Sequence, residues 1–177
     1  MRISQSFDTE ILEKIRLLYE ASFPKEEKKP FPVMLRKRCA GLMTFFAIFD
    51  GGDDFAGFML TAHHERIVLL DYFAIEPAKR CGGIGSFAIS ALVKAYADRD
   101  IVIEIEDERV PSDDGELRAR RKNFYLRAGM KIMPYEISLY GVKMRVLTSG
   151  RDIAFDEYHR VYREVFGGEV AENIFLL

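Results

Sequence analysis

Apolar residues recur at helical spacing in segments 8–20, 86–96 and 155–166, with polar residues between them. This period predicts three amphipathic helices, each with one buried face. A loop that contains three prolines follows the first helix, and a short helix is expected around residues 33–39. The chain is therefore expected to carry helices near both of its ends and one in the middle.

Runs of strand-forming residues lie between the helices. Two of them flank the turn Asp50-Gly51-Gly52-Asp53-Asp54, which indicates a β-hairpin. The run that follows is apolar almost throughout, so it is predicted to be a central strand. The predicted strands cover residues 44–49, 55–61, 67–75, 101–106, the stretch around 131–133, and 137–147. Together with a strongly basic helix over 117–128, this order predicts an α/β (α+β) fold in which helices pack on one mixed sheet.

Composition narrows the class of protein. The chain has 177 residues, 49% of them hydrophobic and 31% charged, which is typical of a globular domain with a substantial core. We expect a single domain over residues 1–177, with a core over about 1–148 and a C-terminal helical extension over 150–177. The formal net charge of −2 argues against non-specific nucleic-acid binding, which usually needs a basic chain.

Cellular setting and metal content can also be predicted. The first residues have no unbroken apolar core, and no stretch approaches the roughly 18 apolar residues of a membrane helix, so neither a secretory signal nor a membrane partner is expected. Cys39 and Cys81 suggest neither a disulfide framework nor a zinc site. His63 and His64 are adjacent and would point to opposite faces of a strand, so no metal is predicted. A reducing, cytoplasmic setting is the simplest interpretation.

The segment with chemical potential lies between the strand 67–75 and the helix after it. Its loop, residues 80–86, reads Arg-Cys-Gly-Gly-Ile-Gly-Ser, with three glycines in four positions. Because glycines leave the backbone bare, successive N–H groups can point into one cavity and hold an anion. The positive end of the following helix and the charge of Arg80 favour the same ligand. The loop is therefore predicted to bind phosphates rather than merely to permit close packing.

A dinucleotide-binding loop is the competing interpretation. Residues 83–88 match the pattern G-x-G-x-x-G/A, and Glu104 follows at about the spacing that this motif requires. However, residues 76–82 separate the strand from the glycines, whereas in the dinucleotide fold the strand runs directly into them. Too little chain follows for the further βαβ units of that fold. A nucleotide-dependent oxidoreductase is therefore kept as an alternative.

Together with a second motif, the loop resembles motif A of the Gcn5-related N-acetyltransferases (GNAT). That family has Gln/Arg-x-x-Gly-x-Gly/Ala after its fourth strand, which Arg80, Gly83 and Gly85 match. Downstream, Tyr125 and Gly129 match the Tyr-x-x-x-Gly pattern that ends the family's fourth helix. One helix and one strand separate the two motifs, as the family requires. The resemblance implies a mixed central sheet flanked by helices, with the fourth and fifth strands splayed apart.

The resemblance also implies a cofactor and the residues that bind it. Acetyl-CoA would be the donor, with its pantetheine arm in the gap between the splayed strands and its pyrophosphate on the glycine-rich loop. In this family the backbone of the fourth strand pairs with the arm. The residues that carry over are Phe73, Ala74 and Ile75 for the arm, Arg80, Cys81, Gly82, Gly83, Ile84, Gly85 and Ser86 for the pyrophosphate, and Asn123 as a further cofactor contact.

Two residues are expected to act in the reaction. Tyr125 occupies the family's general-acid position, where a phenol can protonate the departing thiolate of CoA. The acceptor amine must lose a proton before it attacks, and Glu104 on the predicted fifth strand is the leading candidate base. Glu106 shares its strand face because side chains alternate, and Glu26 and Glu27 are further candidates. The competing interpretations are a packing role for Tyr125 and solvated positions for the carboxylates.

The acceptor is the part of the function that the resemblance leaves open. It should be bound by the first helix, the loop up to Phe31 and the strands after residue 133, with Glu27 and Phe31 as candidate contacts. A small-molecule amine and a peptide amine are both compatible. The aromatic stripe of the last helix is interpreted as core or as a homodimer contact. The sequence thus predicts an acetyl-CoA-dependent N-acyltransferase in which a primary amine attacks directly, with a noncatalytic CoA-binding module as the alternative.

Overall fold

The structure, a computed structural model, describes the backbone of residues 1–177 and every side chain except that of Glu26. Contacts divide the chain into two compact units. Unit 1 comprises Met1–Ala62 and Leu70–Ala95, and unit 2 comprises His63–Leu69 and Tyr96–Leu177. The chain thus changes unit within its fourth strand, between Leu69 and Leu70.

Unit 1 contains the predicted hairpin, the first helices and the helix after the glycine-rich loop. Its elements are β1 (Arg2–Ser4), α1 (Thr9–Ser22), α2 (Phe31–Cys39), β2 (Met43–Phe49), β3 (Phe55–His64), β4 (Ile67–Ile75) and α3 (Ile84–Ala95). The last two residues of β3 and the first three residues of β4 belong to unit 2. Helix α1 begins where Asp8 accepts a hydrogen bond from the Ile11 N–H at 2.9 Å, an N-cap that satisfies one of the free donors of the first turn. Its apolar face buries Ile15 and Tyr19 completely.

Strand β3 approaches β4 closely at Gly57. The pairing of β2 with β3 shifts register between Ile48 and Phe49, which marks a β-bulge next to this glycine. A methyl group at position 57 would lie 2.3 Å from the carbonyl oxygen of Ala74 and 2.9 Å from Cδ1 of Ile75. The absence of a side chain therefore allows the end of β4 to pack against β3.

Replacing Gly57 by alanine should lower the free energy of unfolding by about 2 kcal/mol, because the backbone of β4 must shift to admit the methyl group. In a chain of this size that corresponds to a fall in Tm of roughly 6 °C, measurable by calorimetry. Gly51→Ala in the β2–β3 turn is the matched control, since a methyl group there meets nothing within 4 Å. Equal Tm values for the two variants would contradict the close approach.

Unit 2 contains the basic helix, the C-terminal strands and the aromatic last helix. Its remaining elements are β5 (Asp100–Glu106), α4 (Gly115–Arg127), β6 (Lys131–Leu139), β7 (Val142–Thr148), α5 (Phe155–Phe166), α6 (Gly168–Ala171) and β8 (Ile174–Leu176). Helix α5 buries Tyr158, Val161, Tyr162 and Val165, each at most 1% exposed. These four positions of the aromatic stripe are therefore core of unit 2.

The eight strands form one sheet in the order β1-β2-β3-β4-β5-β7-β6-β8. Strands β4 and β5 are parallel, joined by the crossover that contains α3, whereas β1–β2, β2–β3, β5–β7, β6–β7 and β6–β8 pair antiparallel. Pairing of β4 with β5 covers Ile67–Leu69 and Asp100–Val102, the first three residues of each strand. The mixed sheet with helices confirms the predicted fold class, and the short parallel ladder is the pairing expected of a splayed pair.

Three features of the fold were absent from the sequence prediction. Strands β1 and β8 are each three residues long, too short for a periodic signal. The run predicted over 137–147 is interrupted, because Tyr140 (φ 49°) and Gly141 (φ 83°) form a tight turn between β6 and β7. The expected C-terminal helical extension ends in a strand, since β8 pairs with β6.

Candidate functional site

The glycine-rich loop lies between the end of β4 and the start of α3. After Ile75, a short 3₁₀ turn covers Pro77–Lys79, and the N–H of Arg80 closes it by donating to the Pro77 carbonyl at 3.4 Å. Helix α3 begins at Ile84, two residues before the predicted start, and its first hydrogen bond runs from the Phe87 N–H to the Gly83 carbonyl at 3.0 Å. The last residues of the loop thus form the first turn of the helix.

The backbone of this loop presents a row of N–H donors. Cys81 and Gly83 adopt positive φ values of 66° and 78°, so the chain passes through the left-handed region twice within three residues. Within the described residues, the N–H groups of residues 81–86 donate to no acceptor. Alternating backbone conformations of this type, followed by a helix N-terminus, produce a concave anion site. The loop therefore presents backbone donors at the position where the sequence predicts phosphate binding.

The two basic side chains that precede the glycines have different roles. Lys79 forms an ion pair with Asp50 at 2.6 Å, so its charge is neutralised by the β2–β3 turn. The Nε of Arg80 donates to the carbonyl of Ile75 at 3.0 Å, which anchors the guanidinium at the end of β4. Arg80 is consequently the basic side chain of this segment that remains available to an anion.

The end of β4 presents alternate backbone groups to its two edges. The N–H of Glu76 donates to Ala56 of β3 at 2.9 Å, and the Ala74 carbonyl lies against Gly57 of β3. Because successive residues of a strand direct their backbone groups to opposite edges, those of Phe73 and Ile75 point away from β3. Among the three residues predicted to pair with the pantetheine arm, these two have the suitable orientation.

Tyr125 lies on α4 with its ring buried at 7% exposure, packed edge-on against Phe124 with ring centroids 5.0 Å apart. Its hydroxyl makes no hydrogen bond with the described residues, and burial raises the pKa of Tyr125 to about 12 against a small opposing effect of Arg121. The helix ends just after it in a Schellman turn, since the Met130 N–H donates to the Tyr125 carbonyl at 3.1 Å beside Gly129 (φ 86°). The motif Tyr125-x-x-x-Gly129 therefore places a protonated phenol in the last turn of α4.

Asn123 precedes Tyr125 by two residues on α4, and its side chain is exposed. The basic residues around it are largely used in ion pairs. Arg118 and Arg121 contact Glu106 of β5 at 2.7 and 3.2 Å, and Lys122 contacts Glu108. Glu106 is thus already paired with two arginines of α4.

Glu104 is bound by two phenols that the sequence did not associate with it. The Tyr158 hydroxyl donates to Oε1, and the Tyr162 hydroxyl lies 2.8 Å from both carboxylate oxygens. Burial and the charge of Glu104 raise the pKa of Tyr158, which keeps this phenol protonated as a donor. The sequence carried one signal for this contact, namely two tyrosines at positions i and i+4 on an apolar helix face. Buried tyrosine hydroxyls require polar partners, so such a pair indicates a buried polar group nearby.

The predicted acceptor contacts lie in unit 1. Phe31 is 5% exposed and packs against Tyr19 and Phe45, with ring centroids 5.8 and 5.9 Å apart. Glu27 has an exposed side chain, and its backbone carbonyl accepts a hydrogen bond from the Tyr72 hydroxyl at 2.8 Å. The side chain of Glu26 lies outside the described residues. The segment is thus held by its backbone, and Phe31 is part of an aromatic core.

Other candidates of the sequence have structural explanations. Burial lowers the pKa of His63 to about 4, so the ring is neutral at pH 7, and Tyr96 lies 3.3 Å from its Nε2. Among the described side chains, no group of three or more His, Cys, Asp or Glu residues could hold a metal ion. No helix in the described part of the chain is long and apolar enough to cross a membrane.

Comparisons with known proteins find similar solved structures. No protein-family model matches the sequence, and a search of curated proteins finds no significant match. A solved structure of a protein assigned to the GNAT acetyltransferases of Bacteroides thetaiotaomicron is 26% identical, with a TM-score of 0.78 over 95% of this chain and 99% of that chain.

Two further solved structures share the fold at lower identity. A spermidine N-acetyltransferase from Vibrio cholerae, in complex with CoA and spermine, is 10% identical with a TM-score of 0.65 over 89% of this chain and 96% of that chain. An aminoglycoside 6′-N-acetyltransferase complexed with coenzyme A is 20% identical, with a TM-score of 0.65 over 87% of this chain and 100% of that chain.

The fold is that of the GNAT acetyltransferases, and it excludes the dinucleotide-binding alternative, which needs a mostly parallel sheet. At 26% identity over nearly the whole of both chains, the Bacteroides structure supports membership of the Gcn5-related N-acetyltransferase superfamily.

Proposed function

We propose that this protein is an N-acetyltransferase that transfers the acetyl group of acetyl-CoA to a primary amine by direct attack. The observation that carries the proposal is the loop after β4, where the N–H groups of residues 81–86 donate to no described acceptor. A row of free donors at a helix N-terminus, with Arg80 beside it, suits the pyrophosphate of CoA. Two of the similar structures were solved with CoA, which supports the same ligand here.

The remaining contacts of the cofactor follow from the orientation of β4. The backbone groups of Phe73 and Ile75 point away from β3, so they are suited to pair with the amides of the pantetheine arm as a strand would. The carbonyl of Ile75 already accepts a hydrogen bond from Arg80, which links the arm site to the phosphate site. Asn123 remains a proposed further contact, supported by the family resemblance alone.

The reaction requires a proton donor for the leaving thiolate. Tyr125 is the proposed general acid, because burial raises the pKa of its phenol to about 12 and its hydroxyl makes no hydrogen bond with the described residues. The amine attacks the thioester carbonyl carbon, the C–S bond breaks, and the thiolate of CoA takes the phenolic proton. Glu104 remains a proposed base, with its carboxylate held between Tyr158 and Tyr162.

Binding of the donor is tested by thermal unfolding with added ligands. CoA at about 100 times its Kd should stabilise the protein by about 2.7 kcal/mol and raise Tm by roughly 5–10 °C, whereas NAD(H) and NADP(H) should not. In Gly83→Val the shift with CoA should disappear, because a β-branched residue is strained at φ 78°. Gly168→Ala is the control, since a methyl group there meets nothing within 4 Å. Absence of any shift with CoA at millimolar concentration would overturn the proposal.

Turnover distinguishes an enzyme from a noncatalytic CoA-binding protein of the same fold. A panel of polyamines, amino acids, aminoglycosides and peptides with free N-termini should be screened for release of the CoA thiol. Spermine and aminoglycosides belong in the panel because similar structures carry those names. Thiol release that depends on one amine class identifies the acceptor, and CoA binding without any release supports the noncatalytic alternative.

A further inference from the structure

The turn between β2 and β3 is bonded to the segment that leads into the glycine-rich loop. Nζ of Lys79 donates a hydrogen bond to Oδ2 of Asp50 at 2.6 Å, across a sequence separation of 29 residues. The two side chains are only 24% and 23% exposed. This hydrogen bond is the largest cause that lowers the pKa of Asp50 and raises the pKa of Lys79, so both groups are charged at neutral pH.

The same carboxylate organises the turn that carries it. Oδ1 of Asp50 accepts hydrogen bonds from the N–H groups of Gly52 at 2.9 Å and Asp54 at 3.1 Å. The Asp50 N–H donates to the Asp54 carbonyl at 3.0 Å, which closes the turn. Aspartate commonly forms turns by accepting a backbone N–H two residues further along the chain. Asp50 thus uses one oxygen to hold the turn and the other oxygen to hold Lys79.

The turn has a further attachment, to the neighbouring strand β1. Nε and Nη2 of Arg2 donate to the two carboxylate oxygens of Asp53 at 2.6 and 3.2 Å. The guanidinium of Arg2 also lies 3.8 Å from the centroid of the Phe49 ring, at the end of β2. Paired hydrogen bonds between a guanidinium and a carboxylate restrict the geometry of both groups. The turn is therefore a fixed support for the side chain of Lys79.

Two side-chain contacts hold the glycine-rich loop immediately before its free backbone donors. Lys79 is attached to the β2–β3 turn, and Nε of Arg80 is attached to the Ile75 carbonyl at the end of β4. The N–H groups that donate to no described acceptor begin at the next residue, Cys81. A site that is held in its binding conformation before the ligand arrives loses less conformational entropy on binding. The two contacts are suited to supply that restraint.

We propose that Asp50 is a positioning residue for the glycine-rich loop, which acts through Lys79 to hold the N–H groups of residues 81–86 in the conformation that binds a pyrophosphate. This inference deepens the proposed function and rests on it. It gives Lys79 the role of a support, whereas the phosphates contact the backbone donors and Arg80.

The competing role for Lys79 is that of a phosphate ligand, and the two roles predict opposite effects of Asp50→Asn. Asparagine retains an oxygen that can accept from Gly52 and Asp54, so the turn is kept while the ion pair with Lys79 is lost. If Asp50 positions the loop, Kd for CoA should rise about 3- to 5-fold, the effect of losing a partly exposed ion pair. If Lys79 is a phosphate ligand, the released ammonium will join the phosphates and Kd will fall. A lower or an unchanged Kd overturns the inference.

Companion variants test whether the effect passes through Lys79. Lys79→Met should raise Kd for CoA by the same factor as Asp50→Asn, and the double variant should add nothing, because both substitutions remove one contact. Lys79→Arg retains a cation for Asp50 and should bind CoA as the unmodified protein does. Asp54→Asn is the control, since this carboxylate is 82% exposed and lies 3.9 Å from Nζ of Lys79. KM for acetyl-CoA should follow Kd while kcat is unchanged. Effects that add in the double variant would overturn the inference.

The salt dependence of binding separates a support from a ligand. A cation that contacts the phosphates contributes an attraction that salt screens. Arg80→Met should therefore make Kd for CoA less sensitive to sodium chloride, whereas Lys79→Met should leave that sensitivity as it is in the unmodified protein. An equal loss of sensitivity in both variants would make Lys79 a phosphate ligand and contradict its role as a support.

The loop can also be observed without a ligand, by NMR of protein labelled with ¹⁵N at glycine. The amide order parameters of Gly82, Gly83 and Gly85 should fall in Asp50→Asn and Lys79→Met, and not in Asp54→Asn. Unchanged order in Asp50→Asn overturns the inference, including in a protein that does not bind CoA. Inorganic pyrophosphate is the second probe. A protein that binds pyrophosphate with the expected pattern among the variants, but does not bind CoA, would retain the positioning role of Asp50 and reject the proposed function.

Discussion

Replacing Glu104 by leucine should lower the free energy of unfolding by about 4 kcal/mol. The substitution removes the acceptor of two buried hydroxyls, those of Tyr158 and Tyr162, which are 0% and 1% exposed. Loss of an acceptor costs roughly 1–3 kcal/mol for each buried donor. Urea unfolding should show a midpoint well below that of the unmodified protein, with an unchanged m-value.

Two companion variants separate the structural and catalytic roles of Glu104. Glu106→Leu is the matched control on the same strand face, and should cost about 1 kcal/mol or less, because Arg118 retains its ion pair with Asp114 at 2.8 Å and Arg121 is 52% exposed. Glu104→Gln retains an oxygen that can accept from a phenol, so it should be destabilised less than the leucine variant. If Glu104 is a base, the glutamine variant will also lose rate, chiefly at lower pH. A Glu104→Leu variant as stable as Glu106→Leu would refute the importance of the phenol contacts.

Replacing Tyr125 by phenylalanine should lower kcat about 100-fold or more with little change in CoA binding, because general acid catalysis contributes at least that factor. The phenol makes no hydrogen bond with the described residues, so its removal should not weaken the fold. Equal Tm values for the variant and the unmodified protein are therefore expected. Turnover is measured as thiol release with the best amine of the panel.

The pKa of Tyr125, raised to about 12, defines the pH behaviour of that experiment. Because the group loses its proton only near pH 12, Tyr125 should give no fall in rate between pH 6 and 10. Tyr140→Phe is the control, since Tyr140 is 56% exposed on the β6–β7 turn. An unchanged kcat in Tyr125→Phe would contradict the general-acid role and leave Tyr125 with a packing role only.

The part of the fold that could be predicted is the part that depends on local sequence. Helix α5 was predicted over its observed range, 155–166, because its apolar positions follow one period from end to end. Strand β4 was predicted as observed for a similar reason, since its nine nearly apolar residues end two positions before Pro77. Strand β8 was missed because its three residues gain their structure from pairing with β6.

In the candidate site, too, local features could be predicted and long-range contacts could not. The loop 80–86 could be recognised because glycine content and a following helix are local features. The contacts of Glu104 with α5 join residues more than 50 positions apart, and only the arrangement of strands and helix brings them together.

The two outermost strands have a consequence for the behaviour of this protein at high concentration. Edge strands offer unpaired backbone groups to which other molecules can add, and long apolar edges promote aggregation. Here β1 and β8 are each only three residues long, whereas the central strand β3 has ten residues, the first eight of them buried. In addition, Arg2 of β1 is held in an ion pair with Asp53 at 2.6 Å. The short outer strands thus prevent the aggregation-prone interior of the sheet from acting as a template for other chains.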